Sequence, residues 1–106
     1  MSTSVTAGLD PVIHAPARLQ IAGVLAAVTD IEFATLREAV GVSDSVLSKH
    51  LSQLSEAGYV KLRKAALGGR QRTWLSLTRE GRRAFKAHVQ ALQALAALAE
   101  LPVAAE

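Results

Sequence analysis

Polar and apolar residues change period along this 106-residue chain, and the changes mark its elements. Residues 1–9 are small and polar without a repeat, and they predict a flexible tail. Asp10-Pro11 reads as a helix start, with a carboxylate at the N-cap and proline at the first helical position. Leu19, Ile21, Val24, Leu25 and Val28 carry a helical region to residue 28, broken or bent near His14-Ala15-Pro16. Ile31-Glu32-Phe33 is a short extended piece. Thr35, with Glu38 three residues later, fits a capping box for a short helix that ends at Gly41. Ser43-Asp44 caps a third helix with apolar residues Val46, Leu47, Leu51 and Leu54, of which 47, 51 and 54 form one buried stripe. Gly58 closes it.

Beyond Gly58 the period falls to two. Tyr59–Lys64 and Thr73–Leu77 alternate as strands do, and Leu67-Gly68-Gly69-Arg70 supplies a hairpin turn in which the glycines take positive φ. Thr78, with Glu80 in the first turn, caps a long helix reaching about Leu101, where Pro102 stops it. This order predicts an α+β, mainly helical fold: one domain over residues 10–101, with a short tail at 102–106. No repeat or second domain interrupts it.

Composition narrows the chemistry. The chain has no cysteine, which excludes disulfides, thiolate metal sites and a sulfur nucleophile. His14, His50 and His88 lie in separate segments without metal-ligand spacing and read as structural, so no metal or cofactor is expected. The serines lack a histidine–carboxylate pairing or a nucleophile elbow, and Gly68-Gly69 leads into no helix as a phosphate loop would, so no enzyme is expected. The first five residues lack the pattern of a signal peptide. The charge-free runs between Arg18 and Asp30 and between Lys86 and Glu100 are too short to span a bilayer, which needs about 18–20 residues. A cytoplasmic, membrane-free protein is expected.

The formal charge of +3 conceals an uneven distribution. Lys61, Arg63, Lys64, Arg70, Arg72, Arg79, Arg82, Arg83 and Lys86 face only Glu80, so residues 61–86 carry +8 and the remainder −5. A basic hairpin is either a solvated polar ribbon or a set of phosphate contacts. Its neighbour favours the second. Thr35–Val40, the turn at Gly41-Val42-Ser43, and Asp44–Ala57 have the lengths and glycine placement of a helix–turn–helix. With the leucine stripe buried, Asp44, Ser45, Ser48, Lys49, Ser52 and Gln53 face solvent, and short polar side chains let a helix lie deep in a major groove. Acids on this helix are confined to its ends, at Asp44 and Glu56.

Leu47-Ser48-Lys49-His50-Leu51-Ser52-Gln53-Leu54-Ser55-Glu56-Ala57-Gly58-Tyr59-Val60 resembles the recognition helix and following strand of winged-helix regulators of the MarR and ArsR type. His14–Leu19 and Gly69–Arg82 bring the chain nearest to the small stand-alone MarR-like group, and the resemblance covers about residues 10–90. It implies a homodimer on double-stranded DNA that reads a palindromic operator and represses. Position by position it implies that Ser45, Ser48, Lys49 and Gln53 face bases or adjacent phosphates, with Ser43 capping recognition helix 44–57. Gly68, Gly69 and Arg70 would form the tip of a wing spanning 61–77, with Lys64 and Arg72 flanking it. His50 is either a phosphate contact or a half-buried packing residue. Arg18 is expected to make an intramolecular ion pair, and Trp74 to pack in the wing or at a dimer interface. The missing cysteines rule out the thiolate metal sensing of many ArsR proteins. The chain also has little room for the ligand pocket that longer MarR proteins build, and no effector is assigned.

In the last helix Phe85, Val89, Leu92, Ala96 and Ala99 recur at heptad spacing, and Leu95 and Leu98 add a second apolar line. So wide an apolar surface predicts a symmetric dimer built from residues 78–101 and the helical region around 10–25. Two other readings stay open: a winged helix that binds an acidic protein partner, and a weakly specific architectural DNA binder.

Overall fold

A computed structural model describes residues 7–101 of the chain. Of the flexible tail expected over residues 1–9, residues 1–6 lie outside the described residues, as does the tail at 102–106, whereas Gly8 lies against Ala87 and Ala91 in the last helix. Helix α1 (Pro11–His14) and helix α2 (Pro16–Ala26) are separated at Ala15, where the chain is extended at ψ 134°. Pro16 sets that break, because a residue preceding proline is driven out of the helical region. Strand β1 (Ile31–Glu32) runs straight into helix α3 (Phe33–Val40), followed by helix α4 (Asp44–Glu56). Strands β2 (Val60–Leu67) and β3 (Arg70–Leu77) precede helix α5 (Arg79–Leu98).

Three details differ from the sequence reading. The hairpin is part of a three-stranded antiparallel sheet in the order β1-β3-β2, with Ile31 opposite Leu75 and Glu32 opposite Trp74. That pairing also moves the start of α3. Glu32 is its N-cap residue and makes no capping bond, so Thr35 lies inside the first turn and the capping box is not used. The third difference is the end of α5, which closes at Leu98 with Ala99 as its C-cap, short of the expected Leu101.

The core forms where the stripes meet. Ile13, Ile21, Ala22 and Leu25 from α1 and α2 pack with Leu36, with Leu47, Leu51 and Leu54 of α4, and with Val60, Leu75 and Leu77 of the sheet. Tight backbone contact fixes α5 on this unit. A β-carbon at Gly81 would stand 2.2 Å from the carbonyl oxygen of Tyr59, so only glycine fits.

A polar node ties α1, β2 and α5 together. The Asp10 side chain caps α1 through the Val12 amide at 2.8 Å and also accepts the Tyr59 hydroxyl, which pushes the tyrosine pKa up to about 12. The Asp10 amide donates to Nδ1 of His88 at 2.9 Å, and Nε2 of His88 lies 3.4 Å from Nδ1 of His14. Histidines far apart in sequence are thus neighbours. Because Nδ1 of His88 accepts, the proton of its neutral ring sits on Nε2 and is aimed at His14. His88 is fully buried. Burial, and then the nearby His14 ring, hold its pKa below the usual histidine value; the Asp10 carboxylate opposes them.

The sign follows. Below the unfolded histidine value of about 6.5 the unfolded chain binds a proton that folded His88 resists, so stability falls with pH. We expect thermal melts to lose stability from pH 7.5 to 5.5, with His88 contributing a slope of at most about 1.4 kcal/mol per pH unit. In His88→Gln that slope should flatten. An unchanged slope would place the pH sensitivity elsewhere.

Candidate nucleic-acid interface

The exposed face of α4 is built by capping and burial together. Ser43 Oγ accepts the Val46 amide at 3.2 Å and starts the helix, while Gly41 reverses the chain from α3 at φ 77°. With Leu47, Leu51 and Leu54 buried, Ser45, Val46, Ser48, Lys49, Ser52 and Gln53 are exposed, whereas His50 is half-buried. Arg37 of α3 holds Asp44 at 2.6 Å and so pairs the acid at the start of α4. Lys49 makes no ion pair among the described residues.

Beside α4 the hairpin closes through Gly68 and Gly69, at φ 61° and 77°. Two consecutive positive φ values are what a tight two-residue turn between right-twisted strands requires. Arg70 stands exposed next to this turn. An open cleft of about 480 Å³ runs from the wing to the start of α4, lined by Arg70, Arg72, Glu32, Phe33, Arg37 and Asp44. The register sets Lys64 opposite Thr73 and Ala65 opposite Arg72, so Lys64 and Arg72 project from opposite faces of the ribbon.

The cations expected to act alike therefore divide. Arg72 is held by Glu32 at 2.7 Å and stitches the wing to β1. Arg63 reaches Asp30 at 3.4 Å and lies 6.0 Å from the centroid of Trp74, which gives the half-buried Trp74 a packing place on the sheet. Arg82 donates to the carbonyls of Ala26 and Val28, closing the C-terminal end of α2. Among the described residues Lys61, Lys64, Arg70, Arg79, Arg83 and Lys86 make no ion pair. Sequence reasoning missed the acids that occupy Arg63 and Arg72, because Asp30 and Glu32 come beside them only when β1 joins the sheet.

The ion pair expected of Arg18 is not formed among the described residues. Arg18 donates to the Val12 carbonyl, lies 3.4 Å from Nδ1 of His50 and donates to Oε1 of Gln53 at 2.7 Å. Gln53 and His50 are thereby tied to α2 from one side.

The residues expected at a dimer interface also divide. Phe85 packs against the domain's own core beside Gly23. Burial along α5 ends with Ala91; beyond it Leu92 and Leu95 are half-buried, Ala96 and Ala99 are exposed, and Leu98 is 48% exposed.

A family model described as a winged helix DNA-binding domain matches residues 17–96. The chain belongs to the winged helix DNA-binding domain family. An uncharacterized protein of Methanocaldococcus jannaschii is 32% identical over 78 residues, covering 74% of this chain and 85% of that protein. A transcriptional regulator homologue from Pyrococcus horikoshii superimposes with a TM-score of 0.79 at 24% identity, over 85% of this chain and 89% of that one. The PcaV transcriptional regulator of Streptomyces coelicolor gives 0.68 at 26% identity, over 82% of this chain and 65% of that one. MarR-family transcriptional regulators are among the structures that share this winged helix fold. No described helix is long and apolar enough to cross a membrane.

Proposed function

We propose that the chain is a homodimeric, sequence-specific transcriptional repressor that binds a palindromic operator in double-stranded DNA. Recognition helix α4 enters the major groove with Ser45, Ser48, Lys49 and Gln53 toward the bases. Ser43 and the first amides of α4 meet a phosphate, as helix N-termini do. The wing tip at Gly68, Gly69 and Arg70 follows the adjacent minor groove or backbone, with Lys64 on its flank. Arg72 contributes through the Glu32 bond that stiffens the ribbon. His50, held beside Arg18, supports α4 and is no primary phosphate contact. The observation that carries this reading is the pairing of a short-sided exposed face on α4 with the wing cations Lys64 and Arg70, which make no ion pair among the described residues.

Arg70 gives the direct test. If it neutralises one phosphate, Arg70→Ala weakens binding to every duplex and lowers the slope of log affinity against log salt by about 1. An unchanged slope removes the wing from the interface. Failure of the parent chain to hold any duplex at low salt would favour an acidic protein partner instead.

A further inference from the structure

We propose that Arg18 is a positioning residue that biases Gln53 toward reading guanine over adenine; the proposal rests on the operator-binding function above. Gln53 sits on the exposed flank of α4, one turn beyond Lys49 and two beyond Val46. A free glutamine amide is suited to adenine, giving its NH2 to N7 while its oxygen accepts from the N6 amino group. Here that oxygen is already engaged. Arginine has donors and no acceptor, so whichever amide atom faces Arg18 at 2.7 Å must be Oε1.

Oε1 keeps a second lone pair, but Arg18 pins the amide at its oxygen corner, the corner that adenine needs as an acceptor and guanine does not. The NH2 group is not held in this way, and its two N–H bonds suit the O6 and N7 acceptors of guanine. The same guanidinium lies 3.4 Å from Nδ1 of His50, which makes that nitrogen the acceptor and puts the ring proton on Nε2. The Gln53 NH2 group, the His50 Nε2–H and Lys49 are donors along this flank, and the Glu56 carboxylate comes one turn further on, in the same hollow as Arg18 and Gln53. Arg18 itself is anchored from behind by the Val12 carbonyl of α1, so the orientation is imposed by the helices beneath α4. No carboxylate lies within ion-pair distance of Arg18 among the described residues to draw it away.

The test is selection of bound duplexes from a random pool by the full chain and by Arg18→Met, Arg18→Lys and Gln53→Ala. The parent should select guanine at one position of each half-site, and Gln53→Ala should lose that preference alone. Arg18→Met, which keeps the side-chain stem and removes the donors, should move the guanine-to-adenine ratio there at least about fivefold toward adenine. Arg18→Lys, still donor-only, should keep guanine. Adenine at that position in the parent overturns the proposal, and decides it even if Arg18→Met melts too easily to assay. So does an equal loss on all sequences in Gln53→Ala, which would place the amide on a phosphate. Enrichment of no sequence at all by the parent would instead refute operator binding, and the guanine assignment with it.

Discussion

Gly81→Ala is expected to cost about 2–3 kcal/mol and to lower the melting temperature by roughly 10–20 °C. Gly81 lies in the first turn of α5, where a β-carbon would stand 2.2 Å from the Tyr59 carbonyl oxygen and 3.0 Å from its carbonyl carbon and α-carbon. All three are backbone atoms, so no rotamer change relieves the clash. That carbonyl also accepts the Thr78 amide at 3.0 Å, and Thr78 caps α5 through the Gly81 amide at 2.9 Å. Moving α5 away therefore strains its own N-terminus and the Tyr59–Asp10 contact beneath it. Alanine's intrinsic advantage in a helix, about 1 kcal/mol, offsets only part of this. Gly23→Ala is the matched control: its β-carbon would meet the Phe85 ring at an ordinary 3.7 Å, so that variant should melt at or above the parent temperature. Melts in which the two variants behave alike would contradict this account of how α5 is seated.

The second large effect concerns assembly. Leu98→Glu should leave the monomer fold intact, because Leu98 is 48% exposed on the part of α5 that runs past the buried Ala91. It should nevertheless convert the chain to monomers at tens of micromolar in sedimentation equilibrium. The same variant should lose operator affinity by about 100-fold or more, since the second half-site then no longer binds as an intramolecular event. Circular dichroism should stay at the parent signal. A dimer that survives Leu98→Glu, and equally survives Leu95→Glu, would show that α5 is not the contact surface.

Much of the fold was legible because local rules and tertiary contacts agreed. Asp10, Ser43 and Thr78 cap their helices as their positions predict, and Gly68-Gly69 takes the positive φ values that the turn demands. The departures around β1 and α3 share one physical origin. Ile31 and Glu32 become a strand only by pairing with Leu75 and Trp74, more than forty residues away, and no local pattern reports that pairing. Once formed, it shifts the start of α3, cancels the capping box at Thr35 and brings Glu32 onto Arg72.

The same kind of limit applied to the candidate interface. Counting charges located the basic hairpin but could not separate Arg70, which has no ion pair among the described residues, from Arg72, which has one. The polar node was equally hidden. His14 and His88 are 74 residues apart, and nothing in their spacing announces the contact that burial and the Asp10 amide create. Helical periodicity did place Gln53 on the open side of α4. It could not reveal that Arg18 had claimed the amide oxygen.

Footprinting the purified chain on fragments of its own genome shows whether it holds an operator. A homodimeric repressor should protect an inverted repeat whose half-sites are centred one duplex turn apart, roughly 10–10.5 base pairs or a multiple of it. Uniform weak protection across all fragments, or none at low salt, would contradict that role.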